Sequence, residues 1–93
     1  MKNEEIIEFI DGLNYGKEMY LTFKETKYFI QGWWEQDQAH LVFDYAEPSD
    51  NPNYLWVYSS EHMSECAEAF LEAKLWDGKT FPEVENDITW TDC

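Results

Sequence analysis

The sequence predicts an α+β fold: a short N-terminal helix, a three- to four-stranded antiparallel sheet, one main C-terminal helix and an irregular C-terminal tail. Three observations predict it. Apolar residues recur at helical spacing at Ile6, Ile7, Ile10 and Leu13. Alternating apolar and polar residues then fill the stretch from Met19 to Tyr58, broken by turn-forming positions. Finally "SSEHMSECAEAFLEAKLWDG" returns to helical periodicity and ends at Gly78. A helix stripe and a sheet face each need a cover, so the two pack as layers of one sandwich. Ninety-three residues make a single domain spanning 1–93.

Asn3 caps the first helix, with Glu4 and Glu5 near its positive end. The helix covers roughly residues 3 to 13, and Gly12 and Gly16 supply stop signals. Met19 to Lys24 is the first strand, with Met19, Leu21 and Phe23 on one face. Residues 25–27 form a tight connection to a second strand, Tyr28 to Glu35. Asp37-Gln38 turns into a third, Ala39 to Asp44. "EPSDNPN", residues 47–53, is a loop by composition. Tyr54 to Tyr58 is a fourth strand. Ser59 or Ser60 caps the main helix, which runs to about Trp76. Thr80 and Glu83 around Pro82 fit a capping box and predict one helical turn. Ile88 to Thr91 is either an edge strand or a docked tail.

Two tryptophans stand side by side in "YFIQGWWEQ". Neighbouring residues of a strand point to opposite faces, so Trp33 and Trp34 cannot share one core unless the alternation breaks. Gly32 is the place for such a break, a β-bulge that shifts pairing by one. Without it, Met19, Leu21, Phe23, Tyr28, Ile30, Trp34, Leu41, Phe43, Leu55 and Val57 lie under the main helix. Tyr20, Phe29, Trp33, Val42, Tyr54, Trp56 and Tyr58 fall on the second face. Either the N-terminal helix or the tail with Trp90 covers that face, or part of it is open and docks a partner.

Charge narrows the function. Twenty acids oppose six lysines, there is no arginine, and the net charge is −14. From Phe29 to Ala73 neither Lys nor Arg occurs. Direct binding of DNA or RNA is excluded as an expectation, because phosphate affinity comes from Lys and Arg displacing counterions. A basic protein surface is the expected partner. No apolar run has the length of a membrane span and no signal segment follows Met1, so the expectation is a cytoplasmic protein without a membrane role.

The main helix carries a glutamate stripe. With Glu61 at 0° and about 100° per residue, Glu65, Glu68 and Glu72 all fall within an arc of about 60°. Rise alone separates neighbours by roughly 4.5 to 6 Å, a spacing like that of successive phosphates. A plain solvated face has the same pattern. The absence of intervening lysines is less ordinary, since like charges four apart weaken a helix.

Catalytic chemistry finds no support. His40 and His62 lack motif partners, and Cys66 and Cys93 form neither a CxxC nor a zinc set. The acids at 44, 47 and 50 lack the pattern of a calcium loop. No cofactor or metal is implied, and the chain is read as a non-enzyme.

"MKNEEIIEFIDGLNYG" and "YLWVYSSEHMSECAEAFLEAKLWDG" together resemble the layout of small acidic anti-CRISPR inhibitors carried by phages and mobile elements. The likeness covers length, charge and element order. This chain has more tryptophan and an extra aromatic strand, and has only Glu83, Glu85 and Asp87 in place of an acidic cluster. The resemblance implies a DNA mimic that occupies the basic cleft of a nuclease. In that reading Glu61, Glu65, Glu68 and Glu72 supply charge, and Trp33 and Trp56 supply apolar anchors. The alternative is an immunity or adaptor-type interaction module that binds through the aromatic sheet face. Either acts as a monomer or weak dimer.

Overall fold

In the computed structural model, which describes residues 1–46 and 54–91, two helices and a helical turn cover one face of a five-stranded antiparallel sheet. The predicted 47–53 loop lies outside the described residues, as does Cys93. The order along the chain is α1 (Asn3–Tyr15), β1 (Met19–Phe23), β2 (Thr26–Glu35), β3 (Gln38–Tyr45), β4 (Trp56–Ser60), α2 (Met63–Glu72), α3 (Phe81–Val84), a 3-10 turn (Glu85–Asp87) and β5 (Ile88–Thr91). Across the sheet the order is β4-β3-β2-β1-β5. The α+β class and the N-terminal helix are as the sequence predicts. The sheet has one strand more than expected, and the C-terminal part holds α3 and a paired edge strand.

The cap of α1 lies one residue earlier than the expected Asn3. Lys2 is the N-cap, and the Glu5 carboxylate accepts its backbone N–H at 2.9 Å. The helix continues through Gly12 and ends at Gly16, whose φ of 69° is a left-handed cap. There the Gly16 N–H donates to Leu13 and the Lys17 N–H to Gly12, a Schellman motif. Gly12 is therefore not a stop. It is buried, and a Cβ on it would lie 2.7 Å from Met19 Sδ.

Two hairpins build the meander, and both turn on non-glycine residues with positive φ: Lys24-Glu25 and Gln36-Asp37. Such two-residue turns match the twist of the strands but carry a steric cost for residues with a Cβ. Replacing Gln36-Asp37 by Asn-Gly is expected to raise stability by about 1–2 kcal/mol. The check is a higher urea midpoint at unchanged slope.

The register from Trp33↔His40 through Gly32↔Leu41 to Gln31↔Val42 is unbroken, so Gly32 is not a bulge. It is glycine because the α1–β1 connection crosses it. A Cβ there would lie 2.7 Å from Gly16 Cα and 2.8 Å from Met63 Cε. The Gly32 N–H donates to Gly16 O at 3.0 Å.

Helix α2 is shorter than the periodicity suggests. Strand β4 runs on to Ser60, which pairs with Ala39, so neither Ser59 nor Ser60 is the cap; His62 is. At the other end the helix stops at Glu72. Trp76 and Lys79 form a small bridge across Asp77-Gly78, both of positive φ. This swings Trp76 into the core, where it is buried against Phe23, Tyr28, Phe43 and Phe81. The Thr80–Glu83 box is present: the Thr80 N–H and Oγ–H both donate to Glu83, at 2.9 and 3.0 Å. Those hydrogen bonds hold the Glu83 carboxyl below the usual glutamate range.

The core is one cluster on the helix side. Phe9 and Leu13 of α1, Cys66, Ala67 and Phe70 of α2, and Phe81 and Val84 of α3 meet Met19, Leu21, Ile30, Leu41 and Phe43 of the sheet. Strand β5 completes it with Ile88 and Trp90, opposite Phe23 and Leu21. The Met1 amino group donates to Glu85 O at 2.7 Å and Ile88 O at 2.9 Å, fastening the start of α1 to this end of the sheet.

Candidate functional site

Sheet register decides which side chains can face a partner. One cross-strand row runs Met19, Ile30, Phe43, Trp56, and the next Gly32, Leu41, Tyr58, all on the helix side. The opposite side carries Tyr20, Phe29, Asp44; Gln31, Val42, Val57; and Trp33, His40, Ser59. Strand alternation holds throughout, so Trp33 and Trp34 do point to opposite faces.

This corrects the expectation for β4. Trp56 does not share a face with Trp33. It lies half-buried on the helix side, edge-on to Phe70 at 5.7 Å. Tyr58 shares its face, and Val57 is turned outward and 54% exposed. The cause is the pairing with β3. Phe43 opposite Trp56 and Leu41 opposite Tyr58 fix the parity of the strand, whatever its own hydrophobic pattern. Trp33 and Trp56 are thus not two anchors of one patch.

Trp33 stacks on His40, with ring centroids 5.4 Å apart, and His40 Nδ1 is 2.7 Å from Ser59 Oγ. That row ties β2, β3 and β4 together on the face away from the helices. Both α1 and α2 pack on the opposite face, and Trp90 points the same way as they do, towards Phe9. Neither the N-terminal helix nor Trp90 covers the second face. Its centre is nonetheless closed, since Val42 and Asp44 are buried. Trp34, expected under the main helix, is not in the core. It has helix-side parity, yet at the far end of β2 it is 57% exposed.

The acidic surface belongs to the helix layer. Glu65, Glu68 and Glu72 are exposed on the side of α2 away from its buried residues Met63, Cys66, Ala67 and Phe70. Glu61 is exposed too, but it sits in the bend between β4 and α2, so the stripe on the helix itself has three members. The Ser60 hydroxyl donates to Glu65, tethering the start of the row to the end of β4.

A second row escaped the sequence reading. Glu4, Glu8 and Asp11 are exposed on α1 at spacings of four and three, the same periodicity as the α2 row. The two helices pack against each other on the sheet. Helix α1 contains four acids and α2 three, and neither contains a lysine. The lysines sit elsewhere: at the start of α1, after it, in the β1–β2 hairpin and around the Trp76–Lys79 bridge. Lys24 of the β1–β2 hairpin pairs with Asp77 of the bridge turn at 2.6 Å, and its ammonium is held above the usual lysine range by that hydrogen bond.

Cys66 is buried, its Sγ 3.6 Å from Ala39 O and 3.7 Å from Tyr58 O, and burial pushes the thiol up. Burial and a raised pKa both disfavour the reactive thiolate. Among the described residues no three His, Cys, Asp or Glu side chains converge as a metal site. No described helix is long and apolar enough to cross a membrane. No family model, no curated protein and no solved structure was found to match this chain.

Proposed function

We propose that this chain is a non-catalytic, cytoplasmic acidic binding protein whose helix layer occupies a basic surface on a nucleic-acid-handling partner, as a mobile-element inhibitor of a nuclease would. The observation that carries the reading is the segregation of charge. Both helices bear exposed acids and no base, and α2 ends on Glu72 with no basic residue in its last turn. A helix dipole disfavours an anion at that end. Glu4–Glu8 and Glu68–Glu72 are like-charge pairs four apart, each costing a few tenths of a kcal/mol. Glu4 and Glu65, in the first turns, favour their helices, but Glu8, Glu68 and Glu72 gain the fold nothing, whereas a basic partner gains from them. Glu61, Glu65, Glu68 and Glu72 provide the contacts on one side and Glu4, Glu8 and Asp11 those on the other.

Exposed Trp34, Tyr54, Leu55, Val57 and Tyr58 favour a second reading, an interaction module of the immunity or adaptor type in which acidity only maintains solubility.

A competition assay separates the two. A fluorescent DNA duplex bound to an RNA-guided nuclease is titrated with the chain and with a Glu61→Gln, Glu65→Gln, Glu68→Gln, Glu72→Gln variant. Glutamine keeps shape and helix propensity nearly constant. At low salt the wild type is expected to displace the duplex, and the variant to need about tenfold more protein. The difference shrinks as salt shortens the Debye length to a few ångströms. Equal displacement by both proteins at low and high salt contradicts the proposal.

A further inference from the structure

The two edges of the sheet are not alike. At the β5 edge the strand has four residues, and the Met1 amino group takes up the Ile88 carbonyl. Acids precede it at Glu85 and Asp87. These are the usual devices that stop one sheet from pairing with another: a short strand, nearby charge and a covering segment.

The β4 edge is less guarded: among the described residues no backbone donor or terminus is seen capping it, and its nearest acid, Glu61, lies just past its end. The strand lies within the longest uncharged run of the sequence, "NPNYLWVYSS", in a chain of net charge −14. No lysine, proline or bulge interrupts Trp56–Ser60. Tyr54, Leu55, Val57 and Tyr58 are all exposed. Two molecules this acidic repel each other least where charge is absent, and Trp56–Tyr58 is such a stretch. Glu68 and Glu72 lie on the side of α2 away from its buried residues, and Glu65 is held at the Ser60 end of β4 rather than along Trp56–Tyr58.

We propose that β4 pairs antiparallel with β4 of a second copy, joining two sheets into one of ten strands. A two-fold axis normal to the sheet at Val57 sets Val57 opposite Val57 of the second copy. It sets Trp56 opposite Tyr58 of the second copy, and Leu55 opposite Ser59. Directly opposed residues in an antiparallel pair share a face, and this register respects the faces already assigned. Aromatic and β-branched cross-strand pairs of this kind stabilise a ladder. No acid of one copy lies opposite an acid of the other between Tyr54 and Ser60. Both helix layers fall on the same side of the joined sheet. The pairing stands on the edge alone and does not depend on the function proposed above.

Sedimentation velocity of the full chain from about 5 to about 500 μM tests it, since dimer formation follows mass action. The wild type is expected to convert from monomer to dimer over this range. Val57→Lys sets two ammonium groups face to face at the axis and is expected to raise the dimer dissociation constant about tenfold or more. Ile7→Lys, which adds the same charge at an exposed position on α1, is expected to leave it within about twofold. Hydrogen exchange on the wild type is expected to show concentration-dependent protection in residues 56–60. A wild type that stays monomeric at the highest concentration overturns the proposal. So does a dimer that Val57→Lys leaves intact, or one protected elsewhere than β4.

Discussion

Phe70→Ala is expected to lower the stability of the protein by about 3–5 kcal/mol. Phe70 is fully buried at the middle of the core. Its ring meets Phe9 of α1 at 6.2 Å, Phe43 of β3 at 5.6 Å, Trp56 of β4 at 5.7 Å and Phe81 of α3 at 6.5 Å. Trp76 stands edge-on to it at 6.3 Å. One side chain therefore touches every layer that holds the helices to the sheet. Truncation removes the transfer free energy of the ring and leaves a cavity. The surrounding aromatics are large and rigid, so they fill it poorly. Domains of this size have only about 5–15 kcal/mol of net stability. A large drop in the urea midpoint is the expected reading, and a change below about 1 kcal/mol would contradict the core described here.

Gly32→Ala is expected to cost about 1–3 kcal/mol, through overpacking. The added Cβ would meet three neighbours: Gly16 Cα at 2.7 Å, Met63 Cε at 2.8 Å and His40 O at 3.1 Å. The methionine end can rotate away. The Gly16 backbone cannot, because it closes α1 and its carbonyl accepts the Gly32 N–H. The His40 carbonyl belongs to the paired β3 strand. A Gly32→Ala, Met63→Ala double variant is therefore expected to stay at least as unstable as Gly32→Ala alone. If trimming Met63 restores the wild-type midpoint, the crossing of the α1–β1 connection over β2 is wrong.

These two positions also show what sequence reasoning could reach. Phe70 was legible, because helical spacing groups it with Met63, Cys66 and Ala67 on the side opposite the glutamates. Gly32 was noticed for the wrong reason. A glycine in a strand marks either a bulge or a close backbone approach, and the approaching segment, Gly16, is distant in sequence. The parity of β4 was misread on local hydrophobicity, since Leu55 and Val57 look like the inner face. Pairing with β3 decides otherwise, and pairing is non-local. The end of α2 was missed because Ala73 continues the apolar period. Asp77-Gly78 was a readable turn signal beyond it. Of the candidate residues, Glu65, Glu68 and Glu72 share an exposed face of α2, as helical spacing predicts. Glu61 does not, because β4 extends to Ser60 and delays the helix. The matching row on α1 had the same spacing and could have been found by the same count.

The proposed binding surface is the helix layer. Backbone amide shift mapping by NMR tests it most directly, with a lysine-rich peptide of about ten residues as the cationic probe at low salt. The largest shifts are expected to cluster at Glu4, Glu8 and Asp11 on α1 and at Glu65, Glu68 and Glu72 on α2. They should fade together as salt is raised, while Trp33, Trp34 and Val57 barely move. Shifts centred on those sheet residues and insensitive to salt would contradict it.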